Sequence, residues 1–411
     1  MTWASYAQDG SFYGVYGQVF DSSGNKVGSE FWVNTYTIKT QGWPSVAGLS
    51  GGGFVVTWAS YGQDGSEGGV YGRRFSCSGG AYKDELVLNF GPAYGLNHYA
   101  QAGGWKQWNT VNPSQMVTVD LNGDGTDELV AAFTGYGLYK KDSANDWQPI
   151  NNVDPEKMIA ADIDGDGKDE LVAAFIGYGL YYYDDPGGWT PEPINTVIPD
   201  AMVRYSEGMV CDFGAAYGLW SYNTSSGWRL LNTEDPGEIL AADLDGDGKD
   251  ELVVSFEGWG LYIYEPVGDI WQQINTVIPD EIIAVDIDAD NQDELVVSFV
   301  GYGLYTYEPV GGIWQPINTV IPDGMIRQGN GIAVDYGAAN GLWAWSQGGG
   351  WVQRNTVDPG QMTVVDIDND GVEELVVSFS GFGLYYFDET IGWQLLNTVP
   401  PVGMKPINFY P

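Results

Sequence analysis

From about residue 84 onward a tryptophan returns every 37 to 43 residues, at Trp105, Trp147, Trp189, Trp228, Trp271, Trp314, Trp351 and Trp393. A Gly-Leu pair keeps step with it, its glycines being Gly95, Gly137, Gly179, Gly218, Gly260, Gly303, Gly341 and Gly383. Two markers in register over most of the chain restrict it to a tandem array of eight units. One full unit, residues 159–202, reads IAADIDGDGKDELVAAFIGYGLYYYDDPGGWTPEPINTVIPDAM. Gly, Asp and Pro turns divide it into four short apolar runs, IAADI, ELVAAF, GLYYYD and GWTPEPINT, which read as strands A to D. None has a helical period. Four strands in some forty residues make a propeller blade, which buries its faces against its neighbours. The expected fold is therefore all-β, an eight-bladed β-propeller of four-stranded antiparallel blades over residues 79–411. The C-terminal GMKPINFYP aligns with strand A, whereas the first unit starts at strand B with DELVLNF. The last strand is thus expected to close the first blade, removing the edges an open stack would expose.

The units containing Trp105, Trp228 and Trp351 differ from the rest. Strand B there runs into NFGPAYGL, DFGAAYGL or DYGAANGL, and the acidic A–B loop of the others is missing. A variant at every third unit suggests growth by triplet duplication. Residues 1–78 carry another repeat: TWASYAQDGSFYGVYGQVF at 2–20 returns as TWASYGQDGSEGGVYGRRF at 57–75. With EFWVNTY, SVAGLS and GFVVTWAS between the copies, this segment reads as a small N-terminal all-β module with a truncated first repeat. Its boundary is expected in SCSGGAY, around residues 76–82. Because Met1 lies inside a repeat, the chain is expected to be a piece of a longer protein. Cys77 and Cys211 are far apart and are expected to be free thiols.

Five units carry one acidic loop between strands A and B: DLNGDGTDE at 120–128, DIDGDGKDE at 162–170, DLDGDGKDE at 243–251, DIDADNQDE at 286–294 and DIDNDGVEE at 366–374. Oxygens at positions 1, 3 and 5, a carbonyl at 7 and a carboxylate at 9 can wrap the strand end around Ca²⁺, which takes about 6 to 8 oxygen ligands. The candidate ligands are Asp120, Asn122, Asp124, Thr126 and Glu128; Asp162, Asp164, Asp166, Lys168 and Glu170; Asp243, Asp245, Asp247, Lys249 and Glu251; Asp286, Asp288, Asp290, Gln292 and Glu294; Asp366, Asp368, Asp370, Val372 and Glu374. The residue at position 7 offers only its carbonyl. Position 6 favours a residue tolerant of positive φ and is Gly125, Gly167, Gly248 and Gly371, with Asn291 the exception. Position 8 is acidic as well; position 9 is favoured for the last carboxylate, with 8 as the alternative. An EF-hand is disfavoured because strand sequence such as Ala131 or Ala173 stands where that motif has Glu. Magnesium demands tighter octahedral geometry, and zinc would need His or Cys ligands. The alternative is a solvated acidic turn. The expected cofactor is calcium, at about five sites.

Fifty-five acidic residues against 16 basic ones give a formal charge of -39. Such a surface repels phosphate backbones, so a nucleic-acid partner is excluded. Aromatic residues at 14% and 59 glycines indicate a folded, turn-rich chain rather than a disordered acidic one. No apolar run is long enough to span a membrane. The single histidine, His98, leaves no motif-supported triad, and no catalytic residue is assigned. Paired carboxylates keep a carbohydrate-active enzyme open as a lesser alternative.

Opposite the acidic loops, the B–C turns place Tyr94, Tyr136, Tyr178, Tyr217, Trp259, Tyr302, Asn340 and Phe382 beside NTV-P segments. Aromatic rings with nearby amides can stack on sugar faces and bond hydroxyls. At constant positions in a repeat, however, these residues and the eight strand D tryptophans are expected to pack between blades. Departures from the period are the better ligand candidates: Trp259, Trp220, Trp343 and Trp345, with Tyr136, Tyr178 and Tyr302 beside them.

On the five DxDxDGxxE-type loops, residues 79–411 resemble the FG-GAP or VCBS-type repeats of integrin-like β-propellers, which have Asp where this chain has Glu at position 9. The QDGSxxGVYGxxF segment resembles a repeat of very large bacterial surface and secreted proteins. These resemblances imply a non-enzymatic, calcium-binding adhesion module at the extracellular or bacterial cell surface. Its implied partner is a glycan or a cell-surface or matrix protein. The alternative is a structural or protein-binding scaffold of a larger assembly. Neither reading fixes an oligomeric state.

Overall fold

The computed structural model describes residues 1–6, 12–20, 26–34, 39–48, 54–61, 68–75, 83–101, 103–123, 126–142, 146–288, 290, 292–367 and 372–409. They form eight four-stranded antiparallel sheets, preceded by two three-stranded ones. The eight sheets are the blades of a β-propeller, numbered here 1 to 8 in the order of their tryptophans. One helical turn, Gly337–Asn340, occupies the B–C turn of blade 7.

Blade 3 shows how the repeat folds. Its strands are Lys157–Ala161, Glu170–Phe175, Gly179–Asp184 and Gly188–Trp189, paired in sequence order. Strand A ends two residues before the expected IAADI run does, because Asp162 and Ile163 already belong to the acidic loop. Strand D is cut to two residues where GWTPEPINT was expected, since Pro191 and Pro193 cannot donate to a ladder; the pairing resumes as a single bridge, Leu180 to Asn195. Strand B, ELVAAF, is buried along its whole length. It lies between two neighbouring blades, which explains an unbroken apolar run where a half-exposed strand would alternate.

The C-terminal strand Gly403–Phe409 pairs antiparallel with Lys83–Asn89 and so supplies strand A of blade 1. Each strand A lies against that of the next blade, from Gln115–Val119 to Pro359–Val365, and Gly403–Phe409 lies against both ends of this series. The tryptophans follow the same cycle. Each indole Nε1 donates to a backbone carbonyl on the preceding blade, as in Trp189 to Ile150 (2.7 Å), Trp271 to Leu231 (3.3 Å) and Trp314 to Ile274 (3.1 Å). Trp105 of blade 1 donates to Leu396 of blade 8 at 3.2 Å. Within its own blade each indole meets the aromatic residue ending strand B, for example Phe175 against Trp189 at 5.4 Å, edge to face.

In the N-terminal module, strands Thr2–Tyr6, Tyr13–Phe20 and Lys26–Trp32 form one sheet and Gln41–Gly48, Phe54–Ser60 and Gly69–Phe75 the other. Val15, Val33, Val56 and Trp58 make their shared core. The expected boundary at residues 76–82, with Cys77, lies outside the described residues. Cys211 is a buried free thiol.

Candidate metal centres and ligand surface

The acidic loops are built from their ends inward. Position 2 is a buried aliphatic residue in all five: Leu121, Ile163, Leu244, Ile287 and Ile367. Position 9 is a buried glutamate whose Oε2 accepts the backbone N–H of that residue, at 2.9, 3.0, 2.8, 2.7 and 2.9 Å in blades 2, 3, 5, 6 and 8. The longer glutamate thus closes the loop with one oxygen and turns the other inward, where in blade 2 Glu128 Oε1 accepts from Asn122 Nδ2 at 2.7 Å. In blade 3 Glu170 is fully buried, and its Oε1 has no hydrogen-bond partner.

The loop carboxylates fold inward on their own backbone. Asp162 Oδ1 accepts from Gly165 N (2.7 Å) and Oδ2 from Gly167 N (2.9 Å), Asp164 from Asp166 N (3.1 Å), and Asp166 from Lys168 N (2.9 Å). Blade 5 repeats this with Asp243, Asp245 and Asp247. Carboxylate oxygens of Asp162, Asp164 and Glu170 lie within 4.8 Å of one another, as do those of Asp243, Asp245 and Glu251, and of Asp286, Asp288 and Asp290. Burial, followed by the neighbouring aspartates, pushes the Glu170, Glu251 and Glu294 carboxyls up to about 7. Converging oxygens, one of them buried and orphaned, are the donor set a hard divalent cation takes, so the residues fit calcium. Asp124, Asp368 and Asp370 lie outside the described residues, as do Gly125, Asn291 and Gly371.

Position 8 turns away from the loop interior. Asp169 N donates to the Asp120 carbonyl of the preceding blade (3.1 Å), and its side chain pairs with Arg204 of the following one (2.9 Å). Asp293 N likewise donates to the Asp243 carbonyl (2.8 Å). Position 9 is therefore the inward carboxylate, and position 8 links blades. The structure also brings in a group the loop motif did not include: Glu308, at the end of strand C, has an oxygen within 4.8 Å of those of Asp288 and Glu294.

The opposite face departs from expectation. Tyr94, Tyr217 and Phe382 were expected to pack between blades, and Tyr136, Tyr178, Trp259 and Tyr302 were ligand candidates as well; each is 54 to 63% exposed. In the loop-bearing blades a three-residue B–C turn, and in the blades of Tyr94 and Tyr217 a six-residue one, lifts this side chain clear of the blade, and the Gly-Leu pair returns beneath it. That glycine is required by a close approach: at Gly260, φ is +103° and a Cβ would collide with the Asn275 carbonyl oxygen. All eight such glycines abut the asparagine of the following NTV-type segment. The asparagine side chain is also used internally, Oδ1 accepting the N–H two residues on, as from Asn275 to Val277 at 3.0 Å.

Two shallow pockets lie beside these turns. One, about 250 Å³, is lined by Asn109, Val111, Phe133, Tyr136, Tyr139 and Trp147, and its counterpart at Tyr178 measures about 260 Å³. Trp220 and Trp343 are half-buried between blades, their Nε1 groups donating to Tyr217 O (2.8 Å) and Asn340 O (2.9 Å). Trp345 lines a cleft of about 670 Å³ beside the loopless A–B turn of blade 7, together with Arg327, Arg354 and Glu389. His98 stacks on Trp108 at 4.5 Å and bonds Glu85, which is a packing role.

No protein-family model matches the chain, and no curated protein matches it. Among solved structures, the crystal structure of BBS1N in complex with ARL6DN is 16% identical, covering 79% of this chain and 88% of its own, with a TM-score of 0.41. That of Citrobacter koseri AztD is 11% identical, covering 82% of this chain and 90% of its own, with a TM-score of 0.40.

Proposed function

We propose that the chain is a calcium-stabilised, non-enzymatic propeller that acts as an extracellular adhesion or ligand-binding module, with glycans as its leading ligand class. Five blades hold calcium in their A–B loops, and the ions lock the strand ends on one face. The other face meets the ligand.

One observation carries the binding reading: aromatic side chains recur at the same B–C position in seven blades and stand in solvent, although the repeat gives them every opportunity to pack. Exposed aromatic groups at this density mark recognition surfaces. Beside Tyr136 and Tyr178 they border pockets of a size that a single sugar ring fills, with a tryptophan and a phenylalanine at the base. A glycan array probed in calcium tests this. Binding that Tyr136→Ala, Tyr178→Ala or Trp259→Ala weakens, at unchanged melting temperature, is the expected result. A wild-type protein that marks no glycan in calcium overturns the glycan reading and leaves the scaffold alternative.

A further inference from the structure

The residue at the end of strand C divides the blades as the acidic loop does. In the five loop-bearing blades it is Asp142, Asp184, Glu265, Glu308 and Asp388; in the three loopless ones it is Ala100, Asn223 and Ser346. Capping the C–D turn does not explain the charge. Glu265 and Glu308 do accept turn N–H groups, from Val267 (2.8 Å) and Val310 (3.0 Å). Asn223 does the same work with an amide, accepting from Ser226 N at 2.7 Å in a blade without a loop. The carboxylate accompanies the acidic loop in all five blades that carry one.

We propose that this strand C carboxylate is an additional oxygen ligand of the loop cation, bound directly or through one water, with Glu308 as its fullest case. The inference rests on the calcium reading of the loops. Glu308 shares a 4.8 Å cluster with Asp288 and Glu294, and Asp288 also belongs to the cluster of Asp286 and Asp290. Beside them a cavity of about 130 Å³, lined by Thr306 and Gln315 as well, leaves room for an ion and its water. In blade 3 the fully buried Glu170 turns an unpartnered Oε1 into the cluster of Asp162 and Asp164. There, however, the Lys168 ammonium is bonded to Asp184 and to the Asp185 carbonyl, so it competes with the ion for the strand C acid. Blade 6 has Gln292 at the same loop position and no such competitor. Its site is the tighter of the two.

The test is calorimetric titration of the full chain, stripped with chelator, with calcium chloride. Glu308→Gln keeps the turn cap and is expected to weaken one site about 10- to 100-fold, with the melting temperature in EGTA unchanged. Lys168→Gln is expected to tighten one site, and adding Asp184→Asn to cancel that gain, which a strand C acid out of the cation's reach does not predict. If wild type binds calcium and both variants give superimposable isotherms, the proposal fails while the calcium reading stands. A wild type that binds none overturns both.

Discussion

Trp314 illustrates what single side chains do in this ring. Its indole spans two blades, touching Phe299 and Tyr307 of its own and donating to Ile274 of the preceding one. Trp314→Phe removes that bond from a partly buried carbonyl, at a cost of about 1 kcal/mol; urea unfolding should show a lower midpoint without a changed slope. Gly260→Ala should cost a similar or larger amount, because the new Cβ meets the Asn275 carbonyl at a φ of +103°. The repeated Trp, Gly and Asn were all visible in the sequence. That Trp and Asn form hydrogen bonds across and within blades was not, because periodicity marks a residue as structural without naming its partner.

At the scale of the loop, burial drives the pH response. The glutamates of position 9 have carboxyls pushed up to about 7 in blades 3, 5 and 6, against about 4.5 for an ordinary glutamate. The folded, ion-free chain therefore binds these protons more tightly than the unfolded one. Its stability should be greatest below about pH 4.5 as far as these groups are concerned, and should fall as pH rises toward 7. If the loops bind calcium as proposed, its uptake should release protons near pH 7, and saturating calcium should flatten the loss. Urea midpoints from pH 5 to 8, in chelator and in calcium, check both signs. The five acidic loops and the spacing of their acidic side chains were legible in the sequence. Position 9 is the favoured reading although position 8 is acidic too; in the fold Asp169 turns outward to Arg204 and Glu170 inward to Ile163 N.

Over the whole molecule, the fold class, the eight units and the pairing of the C-terminal strand with the first unit followed from the phase of the repeat. Exposure of the B–C aromatics did not, because a constant position in a repeat suits a packing residue and a displayed one equally. The cycle of blades has its covalent gap between Lys83–Asn89 and Gly403–Phe409. Deleting residues 403–411 uncovers Leu86, Val87 and Leu88 and removes buried Ile407. The loss should be on the order of 5 kcal/mol, seen as a lower melting temperature and binding of a hydrophobic dye.

The ions and the ring meet in one measurement, thermal unfolding of the full chain in saturating calcium, in excess EGTA, and in magnesium as the control. Native-state binding at several loops should raise stability by RT ln(1 + [L]/Kd) per site. Calcium is expected to raise Tm strongly and magnesium is not. Superimposable melting curves in calcium and EGTA would contradict the calcium reading, reducing the loops to acidic turns.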